Sequence, residues 1–188
     1  MIQLALAAGV AGLLYWAIAP AEPKSMPIIT IPGAKGAFVS SMYNAIINAA
    51  PGLNAQAIAL MIAQAAYESA WGRTTAYRQG NNAFNITRLV SSGLPVVEGP
   101  DTECDADNNC RPITQRFAAY DSLEESVSDF LDFIGHARYI PAKPLLLAGN
   151  IDYLDALYRG HYFTQPLPIY KANMLSVLNS VNDQLANA

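Results

Sequence analysis

The chain of 188 residues carries 14% charged side chains, a net charge of −4 and no run of lysine or arginine, a balance that excludes electrostatic capture of nucleic acid. Its two cysteines and two histidines have no metal-ligand spacing, so a zinc hydrolase fails on ligand count and no cofactor is implied. The length suits one domain with an appendage, and a domain of about 150 residues buries a core without staples.

The appendage comes first. Ile2 to Ala21 holds no charged side chain, and twenty helical residues span about 30 Å, the hydrocarbon thickness of a bilayer. Tyr15 and Trp16 near its end suit the interface. A cleaved signal peptide would want lysine or arginine before the apolar run, and Pro20 follows the small residues that a peptidase would need. Residues 1–21 are therefore expected to be a transmembrane anchor in a lipid bilayer. Residues 22–36, with Pro23, Pro27, Pro32, Gly33 and Gly36, read as an extended tether, and residues 37–188 as the domain.

Within the domain, Phe38, Met42, Ala45 and Ile46 recur on one face of a helix expected over Ala37 to Ala50. Pro51-Gly52 breaks it, and Asn54 caps the next helix, Ala55 to Ala70. That helix is apolar through Ile58, Leu60, Met61 and Ile62, with Glu68 in its last turn and Gly72 as a left-handed cap. Gly80 to Phe117 reads as a small β-hairpin lobe, with short runs at Phe84–Thr87, Leu94–Glu98 and Ile113–Phe117. Asp121, with Glu124 in the reciprocal position, caps a helix whose Leu123, Val127, Phe130, Leu131 and Ile134 face inward. Asn150 caps a short helix to Tyr158, ended by Gly160. Ile169 to Leu185 closes the chain, with Leu175, Leu178, Val181 and Leu185 inward. The fold class expected is mainly α, a helical domain with a small β-hairpin lobe.

Met61, Ala65 and Glu68 share a helix face, which sets the acid at the edge of an apolar stripe where its proton is retained. The sequence around it, Glu68-Ser69-Ala70-Trp71-Gly72-Arg73-Thr74, precedes Gly80-Asn81-Asn82-Ala83-Phe84-Asn85-Ile86 and then Phe117-Ala118-Ala119-Tyr120-Asp121-Ser122. These three ordered motifs resemble the glucosaminidase domain of glycoside hydrolase family 73, which includes flagellar peptidoglycan hydrolases and bacterial and phage cell-wall lysins. Asn85 stands where the family usually has glycine. The similarity runs from about Phe38 to Val181 and implies a lysozyme-like fold acting on peptidoglycan glycan strands.

Glycoside hydrolysis needs a protonated carboxyl for the leaving oxygen and often a second group for water or the oxocarbenium ion. Glu68 is the candidate general acid. The second lies among Glu98, Asp101, Glu103, Asp105 and Asp107, and the resemblance of Thr102-Glu103 to a family Thr-Glu pair assigns it to Glu103. A solvated acidic loop fits the same composition. The resemblance also implies a cleft-facing role for Tyr162, where a core tyrosine fits equally, and places Trp71 and Phe84 at the cleft; Asn81 and Asn82 are candidate binders of sugar hydroxyls or N-acetyl groups. Cys104 and Cys110 flank a turn-rich loop and suit a disulfide closing a hairpin tip, with two free thiols as the alternative. The calcium-loop echo of Asp105-x-Asp107-x-Asn109 fails, because Cys110 and Arg116 replace the needed glycine and glutamate.

The function expected is an endo-β-N-acetylglucosaminidase type of peptidoglycan hydrolase, membrane-anchored and facing the cell wall, in a phage virion or a bacterial envelope, with neighbouring virion or envelope proteins as further partners. The alternatives are a lytic transglycosylase, which leaves an anhydro sugar, and a catalytically inactive glycan-binding membrane protein.

Overall fold

The computed structural model describes residues 26–88, 95–104 and 110–188. The expected anchor, the first residues of the expected tether (22–25), and Asp105 and Asp107 lie outside the described residues. Among the described residues no helix is long and apolar enough to cross a membrane.

Helix α2 (Ala55–Glu68) is the axis of the domain, and every residue from Ala57 to Ala66 is buried. A helix that is apolar around its whole circumference can be stable in water only if neighbours cover all of it. Helices α1 (Ala34–Ala49), α5 (Ala142–Leu147) and α7 (Leu167–Leu185) pack on it. Asn54 caps α2 as its sequence implies, its side-chain oxygen accepting from the Ala57 N–H at 2.8 Å.

Helix α1 begins before the expected Ala37, and part of the expected tether belongs to the domain. Ile31 is buried, its N–H donates to Ser40 Oγ at 2.7 Å, and Asn44 bonds both the N–H and the carbonyl of Ile29. Proline and glycine content hid a segment that folds back on α1, because isoleucines at 29 and 31 supply the apolar contact that composition alone understates.

After α2 the chain forms α3 (Thr75–Gly80), then the hairpin β1 (Val96–Cys104) and β2 (Cys110–Ala118). The two strands pair antiparallel from Val96 opposite Ala118 to Cys104 opposite Cys110. The expected strand at Phe84–Thr87 reduces to a single bridge between Thr87 and Phe117. Phe84 sits in a turn, and Asn85 has φ +52°, a backbone value no regular strand allows.

Helix α4 (Leu123–Phe133) is capped one residue later than expected. Ser122 Oγ accepts from the Glu125 N–H, and the Glu125 carboxylate accepts from the Asp121 N–H. A 3₁₀ turn (Ala137–Tyr139), α5 and α6 (Tyr153–Arg159) come next. Asn150 accepts from the Asp152 N–H ahead of α6. In α7 the inward stripe is Tyr170, Met174, Leu178 and Val181, whereas Leu175 is 46% exposed and Leu185 only half-buried. The leucine spacing misled here, because the partner surface is α2 and it selects Tyr170 and Met174 at i and i+4.

Candidate active site

Glu68 is the last residue of α2, and the turn after it fixes its place. Ala70, Trp71 and Gly72 all have left-handed φ values, +50°, +60° and +77°. The helix therefore ends before the expected Ala70, and three residues together turn the chain away from the carboxyl. Buried Ser69 ties the turn, its Oγ donating to the Ala65 carbonyl at 2.6 Å and accepting from the Gly72 N–H at 2.9 Å. A Cβ on Gly72 would stand 2.9 Å from the Tyr77 ring and 3.1 Å from Phe38. Both the φ and the contact require glycine.

The Glu68 carboxyl faces a buried polar network. Gln64, fully buried one turn earlier, donates from Nε2 to Glu68 Oε1 at 3.0 Å. Tyr170 OH donates to the same oxygen at 2.7 Å and accepts from Gln64 Nε2 at 2.7 Å. Tyr153 OH donates to Gln64 Oε1 at 2.8 Å, so both ends of the Gln64 amide are used. Burial pushes the Glu68 pKa up to about 7, while the bonds from Tyr170 and Gln64 hold it down and the charge of Asp101 adds to the rise. Burial likewise raises Tyr153, Tyr162 and Tyr170 and keeps them neutral donors. Because both donors engage Oε1, the acid's own proton belongs on Oε2, which has no hydrogen-bond partner among the described residues.

The carboxyl lines a pocket of about 320 Å³, at the small end of the range for ligand sites. Phe84, Asn85, Thr87, Arg138, His161 and Tyr162 are in its wall. Tyr162 lines this pocket and also packs against the core, with its OH donating to the Phe84 carbonyl at 2.9 Å. The Phe84 ring is buried and stacked on Phe130 with centroids 4.0 Å apart. Asn85 stands at φ +52°, where asparagine is the side chain best tolerated after glycine. Its Nδ2 donates to the Glu68 carbonyl at 2.8 Å, and its buried Oδ1 has no partner among the described residues.

Three expected substrate-binding residues make contacts that hold the fold itself. Trp71 packs edge-on against Phe38 with Lys35 over its ring, and it does not line the Glu68 pocket. Asn81 takes the left-handed position ending α3 and donates to the Tyr120 carbonyl at 3.0 Å. Asn82 is fully buried, donating to the carbonyls of Ile86 and Ala118 and accepting from the Ile86 N–H. An asparagine doublet beside an acid suggested sugar contacts. The buried backbone of the α3–β2 junction claims those amides first.

Glu103 lies near the end of β1, opposite Arg111, and the geometry of its carboxylate falls outside the described residues. Among the other acidic candidates, Glu98 is paired with Arg116 at 2.9 Å. Asp101 accepts from the Thr102 N–H and is the strand acid whose charge bears on Glu68. Cys110 is disulfide-bonded.

Gln64 was missed by sequence reading, although a lone amide at i−4 from Glu68 in an apolar helix was a signal for it. Tyr170 and Tyr153 had no local signal, lying 102 and 85 positions from the acid. No metal-binding group of three or more His, Cys, Asp or Glu occurs among the described residues.

A family model described as glucosaminidase, mannosyl-glycoprotein endo-beta-N-acetylglucosaminidase, matches residues 43–183. The peptidoglycan hydrolase FlgJ of Escherichia coli (strain K12) is 29% identical over 133 residues, covering 68% of this chain but 42% of its own length. The chain thus spans about two fifths of that curated relative. A mutant peptidoglycan hydrolase from Sphingomonas sp. A1 superposes with a TM-score of 0.65 at 28% identity, over 81% of this chain and 99% of that one. The catalytic domain of the autolysin Auto from Listeria monocytogenes, 23% identical, shares the fold with a TM-score of 0.60 over 82% of this chain and 88% of its own.

Proposed function

Since this chain belongs to the glucosaminidase family, we propose that it is a peptidoglycan hydrolase that cuts β-1,4 bonds of the glycan strand as an endo-β-N-acetylglucosaminidase. The carrying observation is Glu68: a carboxyl buried at a pocket wall, held by Gln64 and Tyr170, with a pKa pushed up to about 7. A group with that pKa is half protonated at neutral pH, the condition for donating a proton to a leaving glycosidic oxygen. Glu103, or Asp101 two residues before it, is the candidate for activating water, and Tyr162 borders the reacting sugar.

Residues 2–21 anchor the protein in a bilayer with the domain facing the cell wall, on the strength of twenty residues without a charge. A virion of a membrane-containing phage and a bacterial envelope both suit such an arrangement, and its detection in purified virions or in an envelope fraction decides between them.

The activity test is digestion of purified sacculi and mass spectrometry of the products. Reducing-end N-acetylglucosamine is the expected result, with activity falling at least about 10²-fold in Glu68→Gln. Anhydromuramic ends would instead mean a lytic transglycosylase. Intact sacculi would mean a glycan-binding protein without activity.

A further inference from the structure

We propose that Arg138 and His161 form an anion subsite beside Glu68 that receives a carboxylate carried on the 3-substituent of the substrate's muramic acid. The inference rests on the glycosidase reading. Of the two sugars in a peptidoglycan strand, the muramic residue alone carries an acid on its ring, as the lactyl ether.

The two side chains are brought together by the packing of Gly160. A Cβ there would stand 2.5 Å from the Tyr139 ring and 3.2 Å from the Arg138 carbonyl, so the end of α6 sits directly against the 3₁₀ turn. His161 comes next in the left-handed region at φ +57°, its N–H donating to the Tyr158 carbonyl at 2.9 Å. A histidine in that conformation is strained, and such outliers persist where the surroundings over-determine them. The result is that Arg138 and His161 line the same pocket as the acid.

Neither group has an ion-pair or side-chain hydrogen-bond partner among the described residues, and the Arg138 guanidinium lies 5.2 Å from the Tyr139 ring centroid. Among the described residues lining the pocket, Arg138 alone carries a fixed positive charge. A guanidinium is always charged and presents a fork that matches a carboxylate. Below about pH 7 Glu68 is mostly protonated, and in that form it does not repel an incoming anion. The bound anion in turn favours the protonated form of Glu68, which is the form that acts.

Two sources supply that chemistry: the free lactyl carboxylate of strands stripped of their peptides, or a carboxylate of the attached stem peptide. The first would require an amidase-class reaction upstream.

The test is equilibrium binding to the full-length protein carrying Glu68→Gln, which does not turn over its ligand. The probes are a peptide-free tetrasaccharide of alternating N-acetylglucosamine and N-acetylmuramic acid, its lactyl methyl ester, and the peptide-bearing form. The acid should bind about tenfold or more tighter than the ester, as for a charge-assisted bond. Arg138→Gln should erase that difference, and Arg138→Lys should restore part of it. A peptide-bearing form that binds as tightly as the free acid, and loses that affinity in Arg138→Gln, assigns the subsite to the stem. Equal binding of acid and ester, with the peptide-bearing form insensitive to Arg138→Gln, overturns the subsite and leaves the glycosidase reading intact. Failure of the wild-type protein to cleave any glycan overturns both.

Discussion

Replacing Glu68 by glutamine should stabilise the protein at neutral pH while removing its activity. The ordinary glutamate value is 4.5 and the folded value is about 7. Below pH 4.5 the group is protonated in both the folded and unfolded chains, and it costs nothing. Between 4.5 and 7 the unfolded chain releases the proton while the folded chain keeps it, so stability falls as pH rises and the full cost is present above 7. Two and a half units correspond to about 3 kcal/mol, and partial screening of a half-buried residue trims this to about 2–3 kcal/mol. The amide oxygen of the variant still accepts from Gln64 and Tyr170, so the packing is kept. For a chain of this size about 2–4 °C accompanies each kcal/mol. The melting temperature of Glu68→Gln relative to wild type should therefore be higher at pH 8 than at pH 4 by about 4–12 °C. Titrations elsewhere cancel in this double difference. A difference that does not change between the two pH values would refute burial as the cause of the raised pKa.

The same geometry sets two further outcomes. The rate of wall degradation should fall as pH rises through about 7 and Glu68 loses its proton; Tyr170→Phe removes a bond to the carboxylate worth about 1.5–3 kcal/mol, and should move that falling limb up by about one to two pH units in a pH–kcat profile. At position 85, φ +52° makes alanine about 1–2 kcal/mol worse than glycine, so Asn85→Ala should unfold at lower urea than Asn85→Gly, and equal midpoints would contradict the left-handed assignment.

Much of the fold was legible from the chain because it depends on local chemistry. Ten consecutive buried residues in α2 read as an unbroken apolar helix, and Asn54 announces its start. The Trp71-Gly72 pair was legible as a motif but not as a role. The closeness of Phe38 and Tyr77 shows that the pair turns the chain at the end of α2. The asparagines at 81 and 82 were misread for a related reason. A sequence gives the side-chain donors but does not show which buried carbonyls compete for them. Leu175 looked inward because leucine is apolar, yet the phase of α7 is set by Tyr170, whose hydroxyl must reach Glu68.

That last constraint explains why the acid stands where it does. At the C-terminal end of α2 the helix dipole disfavours a negative charge, and desolvation acts in the same direction. Left alone, these two effects would hold the proton more tightly still, and the carboxyl would be a weaker acid toward a leaving group. Tyr170 and Gln64 pull the other way by favouring the ionised form, and Tyr153 fixes the Gln64 amide so that its donor, not its oxygen, meets Glu68. A pKa of about 7 is the balance point of these opposed effects. The tuning depends on residues from α2, α6 and α7 meeting at one carboxyl, so it exists only in the folded chain.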